Sequence, residues 1–204
     1  MLTLSKNSSF GDCISLDLCC LNDEFAKNTL TRSYLSRARI IHSDVRQQLF
    51  VDFQKSFDEC AKLGLRRYAK SLFLDHLTDD FIEELKNIFI NRPSLDTAIF
   101  LEEFHGKFQA QVNSAFSNRE ARYNLHIQAA WRSPDNDTLN INWIKSAIAT
   151  LGRYARSSGS YINYNSDSNS SNVAVFPDET LERLKNVKSK IDPAAFFVGT
   201  NSDR

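Results

Sequence analysis

The chain has 204 residues, with 25 basic and 25 acidic side chains and no formal net charge at pH 7. This balance argues against a general nucleic-acid coat or a polybasic membrane surface, because both need an excess of cations to meet phosphate groups. With 42% hydrophobic and 25% charged residues, the composition excludes the disordered, collagen-like and disulfide-framework classes. No stretch approaches the apolar length of a membrane span, so we expect neither a nucleic acid nor a membrane as partner.

The four cysteines favour a reducing compartment. Cys19 and Cys20 are adjacent, and together with Cys13 and Cys60 they lack the spacing of a zinc site. The apolar stretch 14–21 is interrupted by polar residues and has no basic region before it, so it is a poor signal peptide. We therefore expect free thiols, no metal site and a cytoplasmic protein.

Helical spacing and strand alternation follow one another along the first part of the chain. Residues 1–42 are weakly patterned, and we treat them as a segment that precedes a domain at 43–204. Helical spacing over 43–61 and alternation over 68–74 predict a helix and then a strand. Thr78 is a suitable N-cap for the next helix, because its hydroxyl can accept a hydrogen bond from the first turn. That helix is expected to bury Phe81, Ile82, Leu85, Ile88 and Phe89.

The rest of the chain continues with the period of two that is typical of strands, followed again by helical spacing. The sequence predicts strands at 99–104, 108–116, 123–131 and 161–164 and helices at 141–151 and 178–190. Strands joined by short loops and flanked by helices indicate an α+β domain. We expect an antiparallel β-sheet with helices packed on one face.

The strand at 123–131 carries the main polar candidates. Four polar side chains share one of its faces: Arg122, Asn124, His126 and Gln128. His126 among these groups can polarise a carbonyl or move a proton near neutral pH. The alternative is an exposed polar strand face with a solvated histidine. His105 is a second candidate for the same cavity, with a turn histidine as the alternative.

Two adjacent carboxylates, Glu102 and Glu103, point to opposite faces of a strand and so cannot form a carboxylate dyad. We expect one to be exposed and the other to pair with an arginine or lysine. Trp131 and Trp143 are expected in the core. The chain has no Gly-rich phosphate loop, nucleophile elbow, HExxH spacing or internal repeat.

An ordered series of motifs fills the last part of the chain. It consists of Gly159-Ser160-Tyr161-Ile162-Asn163-Tyr164, then Leu181-Glu182-Arg183-Leu184-Lys185-Asn186-Val187-Lys188, then Ile191-Asp192-Pro193-Ala194-Ala195-Phe196-Phe197. The series resembles the end of berberine bridge enzyme-like flavoprotein oxidoreductases, which closes with a YxNY strand, an ERL…VK helix and a DP…F turn. Upstream, the order of strands, turn and Trp143 helix follows the same family, so the resemblance covers about 68–197.

This resemblance implies a substrate-binding domain, in which an antiparallel sheet backed by helices lies over the flavin of the complete enzymes. In those enzymes a separate, preceding domain holds FAD. The roughly sixty residues before the match are too few for such a domain. We therefore expect that the chain alone binds no cofactor, and that FAD requires a separate flavin-binding domain.

Positions that face the flavin in the family are changed here, as far as the resemblance places them. His105-Gly106 replaces the Gly-Gly pair of the family, and Ala110 lies near the position of the acidic general base of some members. Asn118 replaces the histidine of the family's His-Arg pair, whereas the arginine is retained as Arg119. Glu179-Thr180 replaces a Gly-Asn pair. The structural residues are retained and the flavin-facing residues are not. This pattern is expected of a domain released from redox chemistry.

The predicted strand 161–164 supplies the remaining candidates. On a strand, Tyr161 and Asn163 share one face and Tyr164 takes the other. Tyr161 can hydrogen-bond a ligand as well as pack. The predicted catalytic residues are Tyr161 and His126, and the predicted substrate-binding residues are Asn163, Arg122, Asn124, Gln128 and His105.

Three hypotheses about function remain. A cofactor-free cyclase or isomerase, Diels–Alder-type reactions included, would act on a small apolar intermediate of secondary metabolism in the inherited cavity. A non-catalytic binding module would form a homodimer to cover the face that once packed on another domain. A fragment or subunit of a flavin-dependent oxidoreductase would work with a separate FAD domain.

Overall fold

The computed structural model describes residues 1–19, 39–55, 58, 63–110, 116, 118–156, 160–167, 176 and 178–197. A five-stranded antiparallel sheet is its centre. The strands are β1 (Leu2–Asn7), β2 (Gly11–Leu16), β3 (Arg66–Leu74), β4 (Ala98–Glu103) and β5 (Tyr123–Trp131), in the order β2-β1-β4-β5-β3. The helices are α1 (Phe50–Lys55), α2 (Asp79–Ile90), α3 (Asp137–Leu151) and α4 (Asp178–Ile191). The expected α+β class is confirmed.

Helices α2 and α3 pack on one face of the sheet, which we call the helix face. Alternate residues of β5 point to it, and its central side chains Leu125 and Ile127 are fully buried. Phe81 of α2 and Ile144 of α3 reach the same core from the helices. Burial of each such side chain contributes about 1.5–3 kcal/mol, so this layer fixes the sheet and leaves its opposite face, the second face, to be covered by loops.

The N-cap predicted for α2 is present. Thr78 Oγ1 accepts a hydrogen bond from the backbone N–H of Phe81 at 3.2 Å. Of the five apolar positions predicted to be buried, Ile82 is 48% exposed, because it lies about 100° around the helix from Phe81. Trp131 is buried and Trp143 packs against the core, as expected. None of the helices within the described ranges is long and apolar enough for a membrane span.

A β-hairpin occupies the weakly patterned start of the chain, where the sequence predicts no strand. β1 pairs with β2 and with β4, so the hairpin belongs to the central sheet. Its turn is closed by Asn7, whose Oδ1 accepts hydrogen bonds from the N–H groups of Ser9 at 2.8 Å and Phe10 at 3.2 Å. Gly11 follows with a φ of 75°, a conformation that favours glycine.

An ion pair with a buried arginine joins this hairpin to the end of α2. Arg92 lies over the ring of Phe89, with 4.0 Å between the guanidinium carbon and the ring centroid. Its Nη1 donates to Asp12 Oδ2 at 3.1 Å, and its Nη2 donates to Asp12 Oδ1. The Arg92 side chain is 3% exposed and that of Asp12 is 51% exposed, so only the cation is removed from water.

Three sequence-based assignments are wrong where the structure describes them. The helix predicted over 43–61 is restricted to α1, because 43–49 are not helical, and several of the residues after α1 lie outside the described ranges. The run predicted as a strand over 108–116 begins inside a 3₁₀ turn, Gly106–Phe108, while 111–115 lie outside the described ranges. The strand predicted over 161–164 is a 3₁₀ turn, Ile162–Tyr164.

Segments after α3 cover the outer edge of β3. The N–H of Arg156 donates to the carbonyl of Phe73 at 2.8 Å, and the N–H of Ser166 donates to the carbonyl of Ala69 at 3.0 Å. The Ser166 hydroxyl accepts from the Ala69 N–H at 2.8 Å. These bonds bring the Ile162–Tyr164 turn to the border of the second face.

Candidate functional site

Strand register places a set of polar and aromatic side chains together on the second face. His126 of β5 lies between Phe100 of β4 and Ser71 of β3. Two residues earlier, Asn124 lies between Glu102 of β4 and Phe73 of β3. All of them alternate with the residues of the helix face, so they point away from α2 and α3.

The polar part of this face is buried, which corrects the alternative of an exposed strand face with a solvated histidine. Asn124 is 0% exposed and His126 is 8% exposed. Asn124 Nδ2 donates to Glu102 Oε2 at 2.8 Å, as directly opposed residues of an antiparallel pair can. The carboxylate of Glu102 therefore belongs to the buried network and does not pair with an arginine or lysine there.

The 3₁₀ turn places both tyrosines of the retained motif on one side, contrary to the strand expectation. In a 3₁₀ turn residues three apart are eclipsed, and the rings of Tyr161 and Tyr164 lie 5.0 Å apart, edge to face. The turn is joined to β3 by the Tyr161 N–H, which donates to Ser71 Oγ at 2.8 Å. Asn163 Nδ2 donates to Tyr161 Oη at 2.8 Å.

Tyr164 is the side chain that closes the network. Its ring stacks on the imidazole of His126, with centroids 4.0 Å apart and planes 3° from parallel. Its hydroxyl donates to Glu102 Oε1 at 3.0 Å. Burial, together with the charge and hydrogen bond of Glu102, raises the pKa of Tyr164 well above its usual value. The tyrosine is therefore held neutral beside the carboxylate.

Aromatic rings continue from this network across the second face. Phe100 stacks on His126 at 5.3 Å, and Phe116 meets Tyr161 edge to face at 5.8 Å. Beyond Tyr161, Phe116 contacts three further rings, those of Phe73, Phe104 and Phe108. We call the sequence of rings from Phe100 to Phe116 through His126, Tyr164 and Tyr161 the aromatic run. A run of this kind offers flat surfaces to a flat ligand.

Two polar atoms of the network have no hydrogen-bond partner among the described residues. They are Asn124 Oδ1 and His126 Nε2. Burial lowers the pKa of His126 to about 4, since the charged imidazolium is penalised where water is excluded. His126 is therefore neutral at physiological pH and presents an aromatic surface and an unpaired nitrogen.

The structure brings four of the seven predicted site residues together. Hydrogen bonds and ring stacking within the network and its supporting turn connect four of them: Tyr161, Asn163, Asn124 and His126. Arg122 is exposed and its guanidinium lies 3.5 Å from Glu103. His105 is exposed beside the Gly106–Phe108 turn, and Gln128 is half-buried, two positions beyond His126 on the same strand face.

Two residues at the centre of the network were not predicted as site residues. From the sequence, Glu102 is notable only as the neighbour of Glu103, and strand alternation places Tyr164 on the side opposite Tyr161. Glu102 acquires its role from the register of β4 against β5 and from a tyrosine 62 positions further along the chain. The available signal was a carboxylate directly after the four apolar residues 98–101 that begin the strand.

The overall architecture matches solved structures of one family. BBE-like #28 of Arabidopsis thaliana superposes with a TM-score of 0.68 at 16% identity, over 98% of this chain and 49% of that one. BBE-like 1 of Physcomitrella patens gives a TM-score of 0.59 at 22% identity, covering 67% and 30%. A single-residue variant of berberine bridge enzyme gives a TM-score of 0.57 at 17% identity, covering 68% and 33%.

Sequence similarity points the same way. FAD-linked oxidoreductase aurO of Gibberella zeae is 27% identical over 156 residues, which are 75% of this chain and 30% of that protein. The chain is related to the berberine bridge enzyme-like FAD-linked oxidoreductases. No family model matches it. The chain spans less than a third of this curated FAD-linked relative, and its resemblance to the solved structures concerns the fold.

FAD is the cofactor that this berberine bridge enzyme-like relationship implies. A dinucleotide site usually brings backbone close to the pyrophosphate, at glycines that a Cβ would obstruct. The described glycines stand elsewhere: Gly11 begins β2, Gly64 precedes β3, Gly106 opens a 3₁₀ turn and Gly152 follows α3. None of these four glycines therefore lies at the N-terminus of an α-helix, where a pyrophosphate would bind. Within the same residues no cluster of three or more His, Cys, Asp or Glu could hold a metal ion.

Proposed function

We propose that the second face binds a small, largely apolar organic molecule and moves a proton on it through the Tyr164–Glu102 pair. The reaction would be a cyclisation or isomerisation that needs no bound cofactor, Diels–Alder-type ring closure included. The observation that carries this proposal is the hydrogen bond from Tyr164 to Glu102, 3.0 Å long, at a tyrosine that stacks on a buried neutral histidine.

The proton transfer uses two groups in sequence. Tyr164 Oη accepts a proton from an acidic C–H or O–H of the substrate while its own proton passes to the Glu102 carboxylate. Return of the proton to another atom of the substrate completes an isomerisation without change of oxidation level. For a ring closure, the same groups hold a substrate hydroxyl by hydrogen bonds while the aromatic run confines its carbon skeleton.

The remaining site residues position this pair. Asn124 donates to the second oxygen of Glu102 and so fixes the carboxylate beneath Tyr164. His126, whose pKa lies at about 4, acts in this proposal as a stacking surface and not as the titrating base near neutral pH. Tyr161 and Asn163 hold the turn that carries Tyr164, since the Tyr161 N–H is bonded to Ser71 and its hydroxyl to Asn163.

Proton exchange on a simple ketone tests the proposal without knowledge of the natural substrate. The full chain is incubated with 2-tetralone in D2O, and exchange of its α-hydrogens is followed by NMR. We expect Tyr164→Phe, which keeps the ring and loses the hydroxyl, to lower the protein-dependent rate about 100-fold. Tyr154→Phe on the helix face is the matched control and should leave the rate unchanged. Equal rates for the wild type and Tyr164→Phe would reject the Tyr164–Glu102 pair.

A second candidate function is favoured by the relative from Gibberella zeae. That protein is an FAD-linked oxidoreductase, and this chain matches 30% of its length. Under this candidate the same face contributes the substrate side of a flavin-dependent oxidation, with the flavin held by a separate domain. Purified chain is mixed with the separately expressed, FAD-loaded remaining part of the Gibberella zeae relative and passed through a sizing column. Co-elution of flavin absorbance with the chain, and substrate turnover only in that mixture, would favour this candidate over the cofactor-free reaction.

A further inference from the structure

Two buried polar atoms of the second face, Asn124 Oδ1 and His126 Nε2, lack a hydrogen-bond partner among the described residues. A buried polar group without a hydrogen bond costs about 1–3 kcal/mol, and such groups are rare in folded proteins. Asn124, which carries the unpartnered Oδ1, is 0% exposed. His126, which carries the unpartnered Nε2, is more than nine-tenths buried. Both lie on the face that carries the Tyr164–Glu102 pair.

The orientation of the Asn124 amide follows from its partner. An ionised carboxylate only accepts hydrogen bonds, so the atom of Asn124 that faces Glu102 Oε2 must be the NH₂ group. The carbonyl oxygen of the amide is then the atom left without a partner. This oxygen is an acceptor, and it needs a donor.

The Glu102 carboxylate and the Tyr164 hydroxyl oxygen are acceptors too. Glu102 presents two carboxylate oxygens, and the hydroxyl proton of Tyr164 is already directed to one of them. Tyr164 Oη therefore offers its lone pairs to any further group. A ligand that satisfies this network must bring N–H or O–H donors to it.

Charge and shape narrow the class of ligand further. A carboxylate or phosphate on the ligand would be repelled by Glu102 in a region with little water. Arg119 lies over Phe108 and Phe116 and donates to the Phe108 carbonyl, so its described contacts are at the Phe116 end of the aromatic run. The rings of Tyr161 and Tyr164 favour a flat partner.

Resting on the proposed function, we infer that the second face selects a neutral aromatic compound that carries at least one hydroxyl or amino group. The donor binds Tyr164 Oη and Glu102, and rotation of the Tyr164 ring off the imidazole opens Asn124 Oδ1 to a further donor. The site discriminates against the methylated form of the same compound, which cannot donate, and against its carboxylated form.

Three matched probes test this inference: 4-hydroxybiphenyl, 4-methoxybiphenyl and biphenyl-4-carboxylate. Each is titrated into the full chain and followed by calorimetry. We expect the hydroxyl probe to bind at least tenfold more tightly than the methoxy probe, and the carboxylate to bind more weakly than either. Glu102→Gln removes the charge and should bring the carboxylate close to the methoxy probe.

The neighbouring carboxylate provides the matched control. Glu103 points to the other face and pairs with Arg122, so Glu103→Gln should leave all three affinities as in the wild type. Equal affinity for the hydroxyl and methoxy probes, with both bound, would overturn the donor requirement and leave the proposed binding face intact. Absence of binding by every probe would overturn both. A carboxylate probe that binds most tightly would overturn the inference about charge.

Discussion

Acid is expected to weaken the fold through His126. The imidazole has a pKa of about 4 in the folded protein against 6.5 for the free side chain, because burial penalises its charged form. Below pH 6.5 the unfolded chain takes up the proton first. The unfolded state then binds more protons than the folded state, so the free energy of unfolding falls as the pH falls from 6.5 to 4.

The size of the effect follows from the two pKa values. Linkage between 6.5 and about 4 gives a loss of about 2 kcal/mol between pH 7 and pH 4.5, and about 3 kcal/mol once the pH is below both values. A loss of that size is a large fraction of the stability of an ordinary domain.

Urea unfolding at pH 7.0 and pH 4.5 measures this contribution when the wild type is compared with His126→Phe. Phenylalanine keeps a flat ring between Phe100 and Tyr164 and cannot titrate. The stability difference between the two proteins should shift by about 2 kcal/mol in favour of the variant at the lower pH. The control His105→Gln removes an exposed histidine and should follow the wild type at both pH values. If His126→Phe loses as much unfolding free energy between pH 7.0 and pH 4.5 as the wild type does, the imidazole is not held neutral by burial.

Two further predictions concern the free energy of unfolding at pH 7, measured by urea. Asp12→Asn leaves the buried Arg92 cation without its carboxylate and should lower the free energy of unfolding by about 2 kcal/mol. Arg92→Met leaves only the half-exposed Asp12 carboxylate and should lower it by less. A larger loss for Arg92→Met would show that burial of the cation does not set the cost of breaking this pair. Ile144→Ala opens a cavity in the core and should cost about 3 kcal/mol, while Ile82→Ala on the exposed side of α2 should cost under about 0.5 kcal/mol. Similar losses for these two isoleucines would contradict the assigned orientation of α2.

Elements with a long, regular pattern were predictable from the sequence. The alternation of β5 extends over nine residues and one face is fully apolar, so its limits at Tyr123 and Trp131 were predicted correctly. The start of α2 was also correct, because the hydroxyl of Thr78 supplies a local reason for the helix to begin there.

Short elements were not predictable in the same way. The strands of the hairpin have six residues each, and β1 owes its place in the sheet to a partner, β4, almost a hundred positions away. For the motif from Tyr161 to Tyr164, four residues cannot distinguish a strand from a 3₁₀ turn by periodicity alone. The turn forms because Ser71 accepts the hydrogen bond of the Tyr161 N–H.

The site residues on β5 were predictable from local alternation. Those on β4 and in the Ile162–Tyr164 turn were not, because their place in the site depends on long-range contacts. Asn124 and His126 share a strand face, and this follows from the sequence alone. Their burial does not, because it depends on the Tyr164 ring and on the neighbouring strands. Glu102 enters the network only through strand register and the turn, two long-range relationships that no local pattern encodes.

The two borders of the sheet are not equivalent, and this limits how copies of the chain could join. Backbone bonds from Arg156 and Ser166 occupy the outer side of β3, whereas within the described residues no strand pairs with the outer side of β2. Within the described residues, β2 is therefore the edge at which the sheet can add a strand. If two copies pair through this edge about a two-fold axis, each occupies the free edge of the other, so a fibre does not grow from that contact.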